Sequence, residues 1–331
     1  MRIDERGSYA RFDHWRKYQR LLPDRIRLSE GREPTEGWWS WRGAEIHLDR
    51  FTAPAAPLTV VMLHGAGGCG RLLAPFGLML QAHGYEVVLP DLPGYGLSLV
   101  PTELFAYDRW VDCATDLVEA ETRRTGRPVA LFGMSVGGYL AYLTAAQGRK
   151  AAGVIATTLA DPRLPIVRDQ FARHPRLNRA ITPLLPLLAN LVGDMRLPIK
   201  WFSNMKRIAN NPEIARLLCD DPVGGGNRVP LRFMRSLLAI RPVIEPEDFD
   251  LCPLLLAHPG ADSWTTIEAS RPFFDRVKGP KELVMLENCG HLPIDEPGIN
   301  RLEEAIVAFL RPLTQSTPPN ESLQHTAPVP N

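Results

Sequence analysis

The chain has 331 residues, of which 45% are hydrophobic, and its formal net charge at pH 7 is +1. This length suits one large α/β domain or two average ones. The balanced charge provides neither a basic excess for nucleic acid nor an acidic block typical of a disordered tail. The first twenty residues are charged throughout and lack the apolar segment of a secretory signal, so we expect a cytoplasmic protein.

Two further features limit the function classes. The longest apolar stretch, 181–192, is too short to span a bilayer and is interrupted by Pro183 and Pro186. The five cysteines are scattered and form no CxxC pair, so neither a disulfide framework nor a zinc site is expected. The sequence therefore predicts free thiols, no metal and no cofactor.

Residues 1–35 are polar and Arg-rich, and they predict a short helix or an irregular lead-in. After them, two alternating stretches around Gly43 predict a hairpin. Apolar strands and amphipathic helices then alternate four times, which is typical of an α/β fold with a doubly wound parallel sheet. The predicted strands are 38–42, 44–51, 58–65, 85–91, 128–134 and 151–158, and the predicted helices are 72–84, 106–126 and 136–148.

The alternation stops between residues 161 and 248, where short apolar segments rich in Pro and Arg show no clear strand. We interpret this region as an inserted, mostly helical cap. The core pattern resumes with predicted strands at 252–260 and 281–288 and predicted helices at 264–276 and 296–311. The predicted core is thus 36–160 together with 249–311, and the apolar-poor tail 312–331 is predicted to be disordered.

The stretch GMSVG at 133–137 matches G-x-S-x-G and lies between a predicted strand and a predicted helix. Such a turn holds its serine in a strained backbone, and the two backbones pass so close that side chains at Gly133 and Gly137 would clash. Ser135 is therefore the candidate nucleophile. The alternative is an ordinary structural turn.

A serine hydroxyl needs a base, and that base needs an acid to orient it. His291 follows the last predicted strand, at the sheet edge where the serine turn also lies. Asp262 follows the preceding strand at the same edge and gives the order Ser, Asp, His that is expected on this fold. Asp161, which follows the strand after the serine helix, is the alternative acid.

An oxyanion needs backbone N–H donors. Val136, directly after the serine, is one candidate. The glycine loop HGAGGCG at 64–70 supplies the other, with Ala66 as first choice and Gly67 as second. A phosphate-binding loop is the rival interpretation, but the G-K-[ST] pattern is missing. His64 is predicted to pack the loop.

Together these motifs resemble the α/β-hydrolase superfamily. The matching stretches are HGAGG (64–68), DLPGYGLS (91–98), GMSVGG (133–138), GAD (260–262) and GH (290–291). Within it, the chain is similar to monoacylglycerol-lipase and lysophospholipase-like serine hydrolases, with a looser likeness in the cap at 210–238. The resemblance implies hydrolysis of an ester or thioester through an acyl-enzyme. The aspartate nucleophile of dehalogenases and epoxide hydrolases is absent.

The cap supplies the candidate substrate contacts Leu184, Leu188, Trp201 and Phe202, which suit an acyl chain but can equally pack the cap onto the core. Its Arg and Lys residues suit an acidic head group, an anionic membrane surface or simply a solvated face. The sequence thus predicts a carboxylic-ester hydrolase acting on a small or lipid-like ester, with no nucleic-acid partner. The alternatives are a C–C bond hydrolase or lyase with the same triad, and a non-enzymatic ligand receptor.

Overall fold

The computed structural model describes residues 6–184, 192–201 and 203–314. Its strands are β1 Thr35–Trp41, β2 Ala44–Phe51, β3 Thr59–Leu63, β4 Glu86–Pro90, β5 Val129–Gly133, β6 Ala151–Ala156, β7 Arg196–Pro198, β8 Arg228–Pro230, β9 Leu254–Pro259 and β10 Lys281–Leu286. Its helices are α1 His14–Gln19, α2 Gly70–Gln81, α3 Tyr107–Thr125, α4 Val136–Gly148, α5 Pro165–Phe171, α6 Pro175–Ile181, α7 Pro212–Asp220, α8 Leu231–Ala239, α9 Ile267–Phe274 and α10 Gly298–Leu313. The predicted core elements are all present, with ends that differ from the prediction by at most three residues.

The central sheet has the order β1-β2-β4-β3-β5-β6-β9-β10. The strands from β4 to β10 in that order pair in parallel, while β1–β2 and β2–β4 are antiparallel. This confirms the mostly parallel, doubly wound sheet. The chain goes from β3 to β4 on one side and reaches β5 on the other, so the loops after β3 and β5 border the crevice where such sheets bind ligands.

The central strands β3, β4 and β5 are buried along their whole length. Their continuous apolar runs fit this position, because helices cover both faces of a parallel sheet. Leu63 pairs with Gly133 at the carboxyl ends of β3 and β5. The glycine loop and the serine turn therefore start side by side.

The N-terminal segment contributes to the core more than its polar composition predicts. The buried apolar residues of this segment are Tyr9, Trp15, Tyr18, Leu22, Ile26 and Leu28. The Arg71 guanidinium lies over the Tyr9 and Trp15 rings, at 4.6 and 4.7 Å from their centroids, and forms a buried ion pair with Asp49. The short predicted helix is α1, and its segment packs against Arg71 of α2.

Residues 161–248, here called the insertion, lie between β6 and β9 and carry α5 to α8. They also contain the antiparallel pair β7–β8, which the sequence pattern did not reveal. Each strand has three residues and ends in proline, which is too short for an alternating pattern to be visible. In the described residues no helix has the length and apolarity needed to cross a bilayer. The tail from 315 onward, predicted to be disordered, lies outside the described residues.

Candidate active site

Ser135 occupies the turn between β5 and α4 with φ 59° and ψ −131°. Non-glycine residues rarely adopt positive φ, and such strain is found at functional sites. A Cβ on Gly133 would overlap the carbonyl of Gly137, and a Cβ on Gly137 would overlap the carbonyl oxygen of Leu63. The predicted need for glycine at both positions is confirmed, and so is the sharp turn.

Thr157 holds the serine turn from the neighbouring strand end. The Ser135 amide donates to Thr157 Oγ1 at 3.2 Å, and the Thr157 amide donates to the Gly133 carbonyl at 3.0 Å. Thr157 was not identified from the sequence. The available signal was its place directly after β6, which neighbours β5 in the sheet. The strained turn is thus tied to the sheet on its β6 side.

His291 and Asp262 are paired in the loops after β10 and β9. The distance between His291 Nδ1 and Asp262 Oδ2 is 2.8 Å, and both side chains are buried. Asp262 Oδ1 accepts hydrogen bonds from the Trp264 and Thr265 amides, at 2.8 and 2.9 Å. The Thr265 hydroxyl donates to Asp262 Oδ2 at 2.7 Å. These contacts fix the carboxylate and leave it facing the imidazole.

The charge state of Asp262 follows from these contacts. Burial raises the pKa of the carboxyl. The neighbouring His291 and the hydrogen bonds from Thr265 lower the pKa by more than burial raises it, so the net pKa lies below its usual value. Nearby, burial lowers the pKa of His258 to about 4, and its Nδ1 lies 3.1 Å from the Thr157 carbonyl oxygen. An ionised Asp262 therefore lies beside His291, while His258 stays neutral.

The second nitrogen of His291, Nε2, is buried and has no hydrogen-bond partner among the described residues. The Trp264 ring packs against the imidazole at 4.6 Å between centroids and also lines the cavity that reaches Ser135. Neither Trp264 nor Thr265 was identified from the sequence. Their spacing after Asp262 is that of an Asx turn, which is the signal that could have found them.

Asp161, the alternative acid, has a different partner. Its carboxylate forms an ion pair with Arg163 at 2.7 Å, and Arg163 also pairs with Glu245. The structure thus brings His291 together with Asp262, and Asp161 together with Arg163 at the start of the insertion.

The predicted oxyanion donors lie beside the serine. Ala66 and Val136 line the same cavity as Ser135, and a Cβ on Gly65 would lie 2.9 Å from the Ser135 Cβ. Within the described residues neither the Ala66 nor the Val136 amide donates to a protein acceptor. Both amides are therefore free to receive a ligand oxygen, and the N-terminus of α4 favours negative charge there.

Two neighbours of these donors have structural contacts instead. Gly67, the second choice, has φ +83°, and a Cβ on it would lie 2.8 Å from the methyl group of Met205 in the insertion. His64 is fully buried. Its Nδ1 lies 2.8 Å from the Gly65 carbonyl oxygen, and its Nε2 accepts a hydrogen bond from the Leu92 amide. Burial lowers the pKa of His64 to about 4, so it packs the loop as a neutral ring.

The cavity above Ser135 is built by both the core and the insertion. The core residues in its wall are Ala66, Tyr107, Ser135, Val136, Tyr139, Ala160 and Trp264. The insertion residues in its wall are Pro162, Val167, Arg168, Phe171, Ala172, Ile199, Ser203, Phe233, Met234, Leu237 and Leu238. The wall is mostly apolar, and Arg168 is the one charged side chain among these described residues. An aliphatic or aromatic group fits such a surface.

Of the four predicted substrate contacts of the insertion, only Trp201 has a described side chain. Trp201 is 57% exposed and is not part of the cavity wall. Leu188 and Phe202 lie outside the described residues, as does the side chain of Leu184. The contacts that sequence reasoning missed come from α5 and α8, whose apolar residues turn toward Ser135. Among the described residues, no group of three or more His, Cys, Asp or Glu side chains is placed to hold a metal ion.

Comparison with known proteins agrees with this architecture. The fold is similar to a soluble variant of the Saccharomyces cerevisiae monoglyceride lipase in complex with a substrate analog, with a TM-score of 0.71 and 18% identity over 88% of this chain and 98% of that one. It is also similar to the Paleococcus ferrophilus monoacylglycerol lipase, with a TM-score of 0.62 and 22% identity over 82% of this chain and 100% of that one.

Sequence comparison identifies a curated relative and a family. The chain is 27% identical over 233 residues to the polyketide transferase ATR5 of Stachybotrys chlorohalonatus, covering 67% of this chain and 76% of that protein. A family model, Hydrolase_4, described as serine aminopeptidase S33, matches residues 54–298. Because this match spans well over half of its length, the chain belongs to that family and is an α/β-hydrolase.

Proposed function

We propose that the protein hydrolyses carboxylic esters through an acyl-enzyme, with Ser135 as nucleophile, His291 as base and Asp262 as the acid that orients it. One observation carries this proposal. His291 is bound through Nδ1 to Asp262 at 2.8 Å, while its Nε2 is buried without a partner among the described residues, in the region of the strained Ser135. A base held in this way is ready to take the proton of a nucleophile.

The steps follow from these roles. Ser135 Oγ attacks the ester carbonyl while His291 Nε2 takes its proton, and the ionised Asp262 stabilises the imidazolium that forms. The Ala66 and Val136 amides bind the oxyanion, an interaction that typically contributes about 10²- to 10³-fold in kcat for each donor. The imidazolium then protonates the leaving alcohol. Water, activated by the same imidazole, releases the acid and restores Ser135.

The cavity wall supports a substrate with an apolar group. Val167, Phe171 and Leu237 face the space above Ser135 from the insertion. One structural neighbour is a monoglyceride lipase in complex with a substrate analog, which agrees with a lipid-like ester. A peptide N-terminus fits poorly although the family is described as serine aminopeptidase, because the wall carries the cationic Arg168 and no carboxylate among its described residues.

Acyl transfer is a second candidate, favoured by the polyketide transferase relative. Its first half-reaction is the same, and an acceptor other than water would release the acyl group. Adding alcohols or thiols during ester turnover separates the two activities. If an acceptor at millimolar concentration takes most of the acyl group, transfer is the main reaction. If the free acid remains the main product, hydrolysis is the main reaction.

We further propose that the insertion contacts an anionic lipid surface through exposed residues of 163–219, here called its outer side. Residues 163–219 hold ten Lys and Arg against three Asp and Glu. Three of these cations are engaged elsewhere, because Arg168 lines the cavity and Arg163 and Arg179 form ion pairs with aspartates. The exposed large apolar side chains in the same region are Ile166, Leu177, Val192, Met195 and Trp201. Cations near an anionic leaflet each contribute roughly 1 kcal/mol to binding.

Sedimentation with phosphatidylcholine vesicles, with and without phosphatidylglycerol, tests this contact. Equal binding to both vesicles would contradict it.

The ester-hydrolase proposal is tested with a fluorophosphonate probe and p-nitrophenyl esters from acetate to palmitate, beside a monoacylglycerol. The wild-type protein should be labelled and should turn over at least one ester. Ser135→Ala should abolish labelling and lower kcat by roughly 10⁴-fold or more with the fold intact. If Ser135→Ala kept its turnover, the nucleophile would be wrong. If the wild type turned over no ester and both proteins bound a ligand equally, the protein would be a receptor.

A further inference from the structure

Arg168 in α5 is a cation in a wall that is otherwise apolar. Its Nε donates to the Pro162 carbonyl at 2.6 Å. Within the described part of the chain, no carboxylate lies within 4.0 Å of its guanidinium. The neighbouring Arg163 differs, because it forms ion pairs with Asp161 and Glu245. Arg168 therefore has hydrogen-bonding capacity that the described protein groups do not use.

Such a position is unusual for an arginine. The side chain is half-buried and borders Val167 and Phe171 in the cavity wall. Proteins normally pair a charge that is partly withdrawn from water. The Arg168 nitrogens are not among the fully buried atoms without a partner, so a ligand or water can reach them. In the wall of an apolar cavity, an anionic ligand group would supply the pairing that the described protein groups do not.

Two neutral groups of the same wall also lack partners. The Tyr139 hydroxyl and the Trp264 indole N–H are buried and have no hydrogen-bond partner among the described residues. Most buried polar groups in proteins are hydrogen-bonded, so each exception calls for an explanation. All three side chains can donate a hydrogen bond. A substrate that is entirely hydrocarbon would leave every one of them unsatisfied.

We infer that the acyl group of the substrate carries a carboxylate, separated from the scissile carbonyl by an apolar segment, and that Arg168 binds this carboxylate. This inference rests on the proposed ester hydrolysis and specifies its substrate class. A guanidinium binds a carboxylate through two parallel hydrogen bonds, and the attraction is stronger where water is excluded. The apolar segment occupies the space beside Val167 and Phe171.

The kinetic test compares two acyl groups of equal length, the mono-p-nitrophenyl ester of adipic acid and p-nitrophenyl hexanoate. The wild-type protein should have the higher kcat/KM for the adipate ester. Arg168→Gln should lower kcat/KM for the adipate ester by about 10- to 100-fold, the range for a lost hydrogen bond to a charged group. The hexanoate value should fall by a smaller factor, because the hexanoyl group has no carboxylate, so the adipate to hexanoate ratio should drop. Arg168→Lys keeps the charge without the planar fork and should be intermediate.

Arg241→Gln is the matched control, because Arg241 is an exposed cation of the same insertion and is not part of the cavity wall. It should leave the adipate to hexanoate ratio unchanged. If Arg168→Gln and Arg241→Gln changed this ratio equally, the effect would come from the overall positive charge of the insertion and not from a contact with Arg168. If the wild type preferred hexanoate and Arg168→Gln kept that preference, the inference would be overturned while ester hydrolysis stood.

A binding measurement keeps the inference independent of turnover. Calorimetry on Ser135→Ala, with uncleaved methyl esters as ligands, should detect binding of monomethyl adipate that is weakened about 10-fold or more in Ser135→Ala/Arg168→Gln. Methyl hexanoate, which has no carboxylate, should show no comparable loss. If monomethyl adipate bound equally to both proteins, Arg168 would have no part in recognising the carboxylate. Failure of the proposed reaction would instead appear as ester turnover that persists in Ser135→Ala, which leaves this binding comparison unaffected.

Discussion

The edge of the sheet around Ser135 and the insertion above it differ in how tightly their residues are packed and hydrogen-bonded. At the sheet edge, the serine turn has no room for a Cβ at Gly133 or Gly137, and Asp262 is fixed by two amides, a hydroxyl and an imidazole. In the insertion, the strands have three residues each and, among the described residues, six large apolar side chains are exposed. The tightly packed edge suits a reaction that needs fixed geometry, whereas the insertion supplies most of the described cavity wall.

The contrast is sharpest between two buried aspartates, one at the edge and one where the insertion begins. Asp262→Asn should lower kcat by about 10⁴-fold, because an amide cannot stabilise the imidazolium and favours the wrong tautomer of His291. Asp161→Asn should keep kcat within about threefold, because that carboxylate pairs with Arg163. Steady-state kinetics of the two variants, with circular dichroism to check folding, measure the difference. A mild Asp262→Asn and a severe Asp161→Asn would reverse the assignment of the acid.

A glycine substitution tests how tightly the edge is packed. Gly137→Ala should cost about 3 kcal/mol or more of unfolding free energy, because its methyl group would overlap the Leu63 carbonyl oxygen. Gly37→Ala in β1 is the matched control, since a Cβ there meets nothing within 4 Å. Urea denaturation of both variants measures the cost. Equal midpoints for the two would show that the turn can relax.

The sequence predicted the edge because each motif there carries a local physical requirement. The strained turn at Ser135 was predicted from the glycines that it demands. The contact between Asp262 and His291 was predicted from their places after parallel strands. Thr157 and Thr265 were not found, because a threonine after a strand has many uses and its partner is visible only once the strands are ordered.

The insertion and the N-terminal segment were predicted less well. The apolar character of Trp201 does not say which side of the insertion it faces, and it is exposed. The aromatic residues Tyr9 and Trp15 are separated by charged residues, so no periodic apolar pattern marks them as core. Both rings contact Arg71, which lies far away in the sequence. Contacts of this kind are tertiary and leave no local pattern.

Lowering the pH should destabilise the fold at the sheet edge, because Asp262 becomes protonated. Its folded pKa is lowered, so the unfolded chain binds more protons than the folded one in acid. The stabilisation is fully present above the ordinary aspartate pKa of about 3.9 and is lost as the pH falls through the lowered folded pKa. The gap in unfolding free energy between wild type and Asp262→Asn should therefore shrink between pH 6 and pH 3. Urea titrations at several pH values measure this gap, and a constant gap would mean that Asp262 is not ionised in the fold.

The smallest effect on stability is expected on the outer side of the insertion. Trp201→Ser should change the unfolding free energy by less than about 0.5 kcal/mol, because the side chain is 57% exposed. It should also leave the ester chain-length profile unchanged, because Trp201 is absent from the cavity wall. Binding to anionic vesicles should fall, since an exposed indole suits the membrane interface. If Trp201→Ser altered the chain-length profile and left vesicle binding unchanged, the Trp201 side chain would contact the substrate. The insertion would then bind substrate without also binding a membrane through this residue.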